Sequence, residues 1–188
     1  MQNWLFVFIF KIVSFDIIID TISMSVVCLL LGSNLGDRYA QMEKAEDLLC
    51  RTTGKKLTAS GYYRSPPWGF ASRNDFLNRA LLFDTVLSPR EVMFNCLETE
   101  KKLGRLRNTT GYADRIIDID ILFYDDLIIH EPGITIPHPR LEERRFALAP
   151  VAEIAPGWKH PLLGKNAVAL LEQCPDHSEV IPWEPDQG

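Results

Sequence analysis

Asp118-Ile119-Asp120-Ile121 sets two carboxylates two positions apart in a segment of strand character. Alternation along a strand sends both acids to one face, with about 6.5 to 7 Å between their Cα atoms, and both isoleucines to the other. Like charges so placed repel unless cations lie between them, and a pair of divalent ions about 3.5 to 4 Å apart suits such carboxylates. Hard oxygen donors favour Mg²⁺. A bare D-x-D is also what a solvated strand face carries, so the residues before it decide. Residues 101–115 hold Lys101, Lys102, Arg105, Arg107 and Arg115 against the single acid Asp114. In a chain of net charge −5 this is a concentrated basic segment. Guanidinium groups match phosphate oxygens two at a time, so arginines beside cation-holding aspartates point to chemistry on a magnesium nucleotide.

Other residue types bear on that reading. His138, followed by Arg140, Arg144 and Arg145, is placed to donate to a phosphate, or is a loop histidine with no task. Trp68, Phe70 and Phe76, with Phe146 later, supply rings that could sandwich a planar heterocycle while the Asn78 amide reads its edge; core packing explains the same rings. There is no G-x-x-x-x-G-K-[ST] sequence and no G-x-S-x-G element, which excludes a P-loop kinase and a serine hydrolase of that type. The turn Gly32-Ser33-Asn34-Leu35-Gly36 lacks a phosphate-reaching lysine and reads as structural.

These residues need a scaffold, and 188 residues with 46% hydrophobic content suffice for one compact domain. A net negative charge argues against a polybasic nucleic-acid binder. Cys28, Cys50, Cys96 and Cys174 lie far apart without a C-x-x-C pair, so neither structural zinc nor a disulfide framework is expected, and a reducing cytoplasm fits. Residues 1–23 are apolar but broken by Lys11, Asp16 and Asp20, too interrupted for a membrane span and without the flanks of a signal peptide. We read them as an upstream overrun before a working start at Met24, with a genuine added element and a membrane anchor or signal as the alternatives, and expect the domain to be residues 24–188.

From Val26 to Leu31 the apolar run reads as a buried strand, and Met42, Ala45, Leu48 and Leu49 follow with helical spacing. Leu57 to Tyr63 is a second strand, 64–75 a proline-containing loop, and Leu77 to Thr85 a third strand. Ser88-Pro89-Arg90-Glu91 combines an N-cap, proline at the first helical position and a capping glutamate, so a helix of about four turns begins there and stops at Gly104. Ile116 to Tyr124 is the fourth strand. The order β-α-β-β-α-β predicts an α+β fold with a ferredoxin-like sheet, both helices on one face, followed by a hairpin near 127–136 and helices near 142–148 and 166–174.

With those pieces in place, the chain resembles the 6-hydroxymethyl-7,8-dihydropterin pyrophosphokinases of folate biosynthesis. The resemblance runs from about Val26 to Trp158. It is carried by Leu31-Gly32-Ser33-Asn34-Leu35-Gly36, Tyr63-Arg64-Ser65-Pro66-Pro67-Trp68-Gly69, Phe76-Leu77-Asn78, Glu100 with Arg105-Leu106-Arg107, Arg115 through Leu122, Ile136-Pro137-His138-Pro139-Arg140 and Arg144-Arg145-Phe146. It implies transfer of the terminal pyrophosphoryl group of ATP to the pterin hydroxymethyl group, with release of AMP. By position, Asp118 and Asp120 would hold two Mg²⁺ ions and, with Arg105 and Arg115, make the catalytic set. ATP would be held by Glu100, Arg105, Arg107, Arg115, Ile121, His138 and Arg144. The pterin would lie between Phe76 and Phe146, with Asn78, Ser65, Pro66 and Trp68 around it.

The resemblance also implies a cytoplasmic monomer working on small molecules, with neither nucleic acid nor membrane as partner. Where the family often has Trp and then Gly-Pro-Arg, this chain has Tyr112-Ala113-Asp114-Arg115. Asp114 should therefore add negative charge beside a phosphate ligand and slow closure of the 104–115 loop. Two other readings are weaker. Nucleotidyltransferases place their Gly-Ser turn about a dozen residues before D-x-D, whereas Ser33 and Asp118 are far apart in the chain. A ferredoxin-like regulatory module has no use for arginines beside paired aspartates.

Overall fold

The computed structural model of the protein describes residues 24–105 and 113–185. The N-terminal extension, Arg107 and Tyr112 lie outside them. Strand β1 (Ser25–Ser33) is buried at seven consecutive positions, as its unbroken aliphatic sequence requires of a central strand covered on both faces. Helix α1 (Arg38–Thr52) starts where the Asp37 side chain accepts from the Ala40 amide and buries Met42, Ala45 and Leu49. Helix α2 (Pro89–Lys102) opens on the complete Ser88/Glu91 capping box and turns Val92 and Cys96 inward.

Between and after the helices lie β2 (Lys55–Ala59), β3 (Tyr62–Ser65), β4 (Phe76–Thr85) and β5 (Asp118–Tyr124). The sheet is antiparallel in the order β5-β1-β4-β3, with β2 sharing the outer edge of β4. This is the ferredoxin-like order expected, with its second strand divided. The division falls at Ser60-Gly61, where the Gly61 amide leaves the ladder and donates to the Glu153 carboxylate at 3.1 Å.

Beneath one face, α1 and α2 close over Leu29, Leu31, Leu81, Phe83 and Ile119. The opposite face carries Cys28, Leu30, Ala80 and Leu122, covered by helices α3 (Arg145–Ile154) and α4 (Ala167–Glu172). The hairpin is β6 (Ile129–Glu131) with β7 (Ile134–Ile136), and a short 3-10 turn at Leu141–Glu143 precedes α3. Helix α3 begins three residues later than its sequence suggests and continues through Pro150. Burial of Ala147, Leu148 and Val151 outweighs the hydrogen bond that proline removes.

A last strand, β8 (Ile181–Trp183), returns to pair with β3 and extends the sheet to six strands. Trp183 brings its ring within 5.9 Å of Tyr39 on α1 and 6.0 Å of Tyr62 on β3. Trp183→Ala should therefore cost about 2 kcal/mol, below the fully buried aromatic range because the ring is partly exposed. A urea midpoint unchanged from the parent protein would show that β8 does not brace the sheet edge.

Candidate active site

Strand register puts the chemistry in rows. In one row across three strands, Asn78 of β4 pairs with Gly32 of β1, and Gly32 pairs with Asp118 of β5. In the next, Ala80, Leu30 and Asp120 are aligned. Asn78, Asp118 and Asp120 thus face one side of the sheet, the side α3 covers farther along, and line one cleft there. Gly32 forms its floor: a Cβ built on it would stand 3.5 Å from the Asn78 amide oxygen and 3.8 Å from the Phe76 ring.

At the β5 end the cleft is charged. Asp118 accepts from Arg105 on one oxygen and from Arg115 on the other. Arg105 also donates to Glu100, a carboxylate on α2 only 1% exposed, and Glu100 accepts from the Ile119 amide at 2.9 Å. Glu100 so ties the helix end, the arginine and the aspartate-bearing strand together. Enclosure in the cleft, and then the charge of Asp118, raise the Asp120 carboxyl well above the usual carboxylate range. His138 Nε2 lies 3.8 Å from Asp120 and 3.3 Å from an Arg144 nitrogen. Burial first, then the Arg144 charge, push the imidazole down to about 4, so it is neutral near pH 7 and its approach to Asp120 is no ion pair. Among the described residues no group of three metal-ligating side chains converges; the two aspartates are the anionic oxygen donors, and the cations facing Asp118 are guanidiniums.

The other end is aromatic. Trp68 lies 6.2 Å from Phe146 and Phe70 lies 6.1 Å from Phe76, ring centre to ring centre. Guanidiniums join the two ends: Arg144 sits 4.9 Å above Trp68, and Arg115 5.8 Å above Phe76. Asn78 is 1% exposed and donates to the Ser65 hydroxyl at 2.9 Å. An aromatic slot with one buried amide at its back suits a flat, hydrogen-bonding heterocycle, while the charged end suits a polyanion and its cations.

Residues 28–156 match the model of the 7,8-dihydro-6-hydroxymethylpterin-pyrophosphokinase (HPPK) family. The chain belongs to this family. Two relatives, both named 2-amino-4-hydroxy-6-hydroxymethyldihydropteridine pyrophosphokinase, give the extent of the likeness. That of Porphyromonas gingivalis is 38% identical over 141 residues, covering 73% of this chain and 95% of its own. That of Methylorubrum extorquens is 42% identical over 127 residues, covering 67% and 80%. The wild-type Plasmodium falciparum HPPK-DHPS crystal structure superposes with a TM-score of 0.66 at 16% identity, a likeness of fold. It covers 80% of this chain, which spans 45% of that longer one.

Most residues picked from the sequence meet in the cleft: Asp118, Asp120, Arg115 and Arg144 at one end, and Ser65, Pro66, Trp68, Phe76, Asn78 and Phe146 at the other. Arg105 and Glu100 join through Asp118, and His138 through Arg144. Ile121 differs: its side chain is 2% exposed within the α1/α2 core, on the face turned from the cleft, as the period-two alternation of β5 demands. Asp114 has partners the sequence did not show: its carboxylate accepts from Asn34 and Asn74. Leu30, Gly32 and Phe70 also line the cleft; for Gly32 the signal was its place at the strand end, where a side chain would narrow the slot.

Glu100→Ala should destabilise the protein by about 3 kcal/mol, because it leaves Arg105 and the Ile119 amide short of a buried acceptor. Glu100→Gln, which keeps an acceptor, should lose less. Equal urea midpoints for the two variants would contradict this role.

Proposed function

We propose that this chain transfers the terminal pyrophosphoryl group of ATP to the hydroxymethyl group of 6-hydroxymethyl-7,8-dihydropterin and releases AMP. The observation that carries the reading is the single cleft in which Asp118 and Asp120, flanked by arginines, adjoin an aromatic slot backed by Asn78. In this reading Phe76 and Phe146 hold the pterin ring, Trp68 and Pro66 close the slot, and Asn78 with Ser65 reads the ring edge. Arg105, Arg115 and Arg144, with His138 beside Arg144, hold the phosphates. Arg107 belongs to the same set by sequence.

Asp118 and Asp120 fit Mg²⁺: they are hard donors on one face, and Asp120 is a carboxyl whose charge needs a nearby cation. With two carboxylates from the described residues, the remaining oxygens would come from ATP and water, the usual pattern for this ion. Two bound Mg²⁺ ions would neutralise triphosphate charge and acidify the hydroxyl.

The hydroxymethyl oxygen forms a bond to the β-phosphorus as the bond from that phosphorus to the α–β bridging oxygen breaks. That oxygen leaves with AMP and keeps the electron pair, and the hydroxyl proton is released. The chain's own part is to align the hydroxyl with that bond and to offset charge on the transferring oxygens with preoriented guanidiniums. No nucleophile on the enzyme is needed.

The same reading extends to the setting. The four free thiols support a reducing cytoplasm, and no helix among the described residues is long and apolar enough to cross a membrane. A net charge of −5 supports small-molecule substrates over nucleic acid. We take the working unit to be a monomer, one domain from Met24 onward, in which β8 closes back onto β3.

Incubation with ATP, Mg²⁺ and the pterin should yield AMP without free pyrophosphate; pyrophosphate release would instead indicate nucleotidyl transfer. Asp118→Ala and Asp120→Ala should each lower AMP formation about a thousandfold or more, and chelation of Mg²⁺ should stop it. Asn78→Ala should raise KM for the pterin about ten- to a hundredfold while KM for ATP holds. Folded protein that forms no AMP would defeat the assignment.

A further inference from the structure

Arg115 reaches Asp118 from a main chain that is itself tethered. Asn34, 3% exposed at the end of β1, takes the Arg115 amide on its side-chain oxygen at 2.7 Å and gives its own amide to the Arg115 carbonyl at 3.1 Å. What fixes the Asn34 side chain is Asp114. One Asp114 oxygen accepts from the Asn34 nitrogen at 2.6 Å, and the other accepts from the Asn74 nitrogen at 3.1 Å. Bonds from Ser72, Asn34 and Asn74 hold the Asp114 carboxyl below its ordinary pKa, and the Ser72 hydroxyl also accepts the Asn74 amide. One exposed carboxylate therefore joins three segments far apart in sequence: the turn after β1, the end of the loop that carries Trp68, and the strand entry bearing Arg115. Asn74 lies two residues before Phe76, the ring beneath the Arg115 guanidinium.

We propose that Asp114 is a positioning residue that fixes Arg115 relative to the pterin slot, coupling the wall that grips the heterocycle to the cation that meets the transferring phosphates. This deepens the pyrophosphokinase reading and rests on it. The sequence suggested a charge that opposes phosphate; the hydrogen bonds give the same residue a supporting role. Its carboxylate is turned to amide donors on neighbouring loops, and its effect on turnover passes through the placement of Arg115. The partner it needs is particular: an amide at position 74 as well as the one at position 34.

The test uses the full chain with Asp114→Ala, Asn74→Ala, the double variant and Asp114→Asn, each assayed for AMP formation and thermal midpoint. Asp114→Ala should lower kcat roughly ten- to a hundredfold, as for a displaced catalytic group. Its thermal midpoint should fall only modestly, because the carboxylate is exposed although the Asn34 amide it serves is buried. Adding Asn74→Ala to Asp114→Ala should cost nothing further in kcat, since the two act through one bond. Asp114→Asn keeps an acceptor for Asn34 but turns an NH2 toward the Asn74 nitrogen, so it should recover only part of the loss. Faster turnover than the parent in both Asp114→Ala and Asp114→Asn would establish simple repulsion of phosphate and overturn the proposal. Unchanged kcat in Asp114→Ala, or fully additive losses in the double variant, would do the same while leaving the assigned reaction intact. Failure of the parent protein to form AMP would remove the reaction itself, and the inference with it.

Discussion

Asp118 accepts a guanidinium on each of its oxygens, one from Arg105 just beyond α2 and one from Arg115 just before β5. Arg105 and Arg115, ten positions apart in the chain, therefore meet on one side chain. The arrangement is self-consistent only with Glu100 beneath it: without that acid, two cations would share a single partly buried carboxylate. With it, positive and negative groups nearly balance at the mouth of the cleft. In the proposed reaction an incoming triphosphate would meet arginines that are largely buried and already oriented, and would take the place of a carboxylate on them. The acids would then be left to face cations of another kind.

The sheet makes that exchange accurate. Every residue that matters at the centre of the cleft projects from β1, β4 or β5, which are neighbours with helices packed on them. Phe76 stands at the start of β4 and Phe146 in the first turn of α3, while loops contribute Trp68, Phe70 and the guanidinium of Arg115; the Arg115 main chain is tied to Asn34, and Asn74 to Asp114. Groups held by rigid elements and a second layer of hydrogen bonds keep the sub-ångström placement that phosphoryl chemistry demands.

How much of this could be read in advance depends on the range of the interaction. Asp118 and Asp120 share a face because side chains alternate along a strand, and Ser88 and Glu91 cap a helix because they are three residues apart; both facts are local and both were legible. Ile121 follows from the same alternation, which sends its side chain into the opposite core whatever resemblance assigns to it. The break at Gly61 was not legible, since its cause is Glu153 on a helix 92 residues later. Nor was β8, whose three residues and proline carry no periodic signal until a partner edge exists. Asp114 read as a bare charge for the same reason: its partners lie 80 and 40 residues earlier and meet it only in the folded chain.

Gly32 lies between Asn78 and Asp118 in one cross-strand row. The separation between the amide that would read the ring and the acid that would hold the cations is therefore two interstrand spacings, roughly 10 Å, set by main-chain hydrogen bonds and not by any side chain. The sheet acts as a ruler laid under the substrate. A heterocycle whose hydroxyl hangs on an arm of the wrong reach would fit the slot and still hold its oxygen out of line with the phosphorus. With the proposed roles, selection for one carbon between ring and hydroxyl would rest on the pitch of the backbone, where no single side-chain replacement can rescale it.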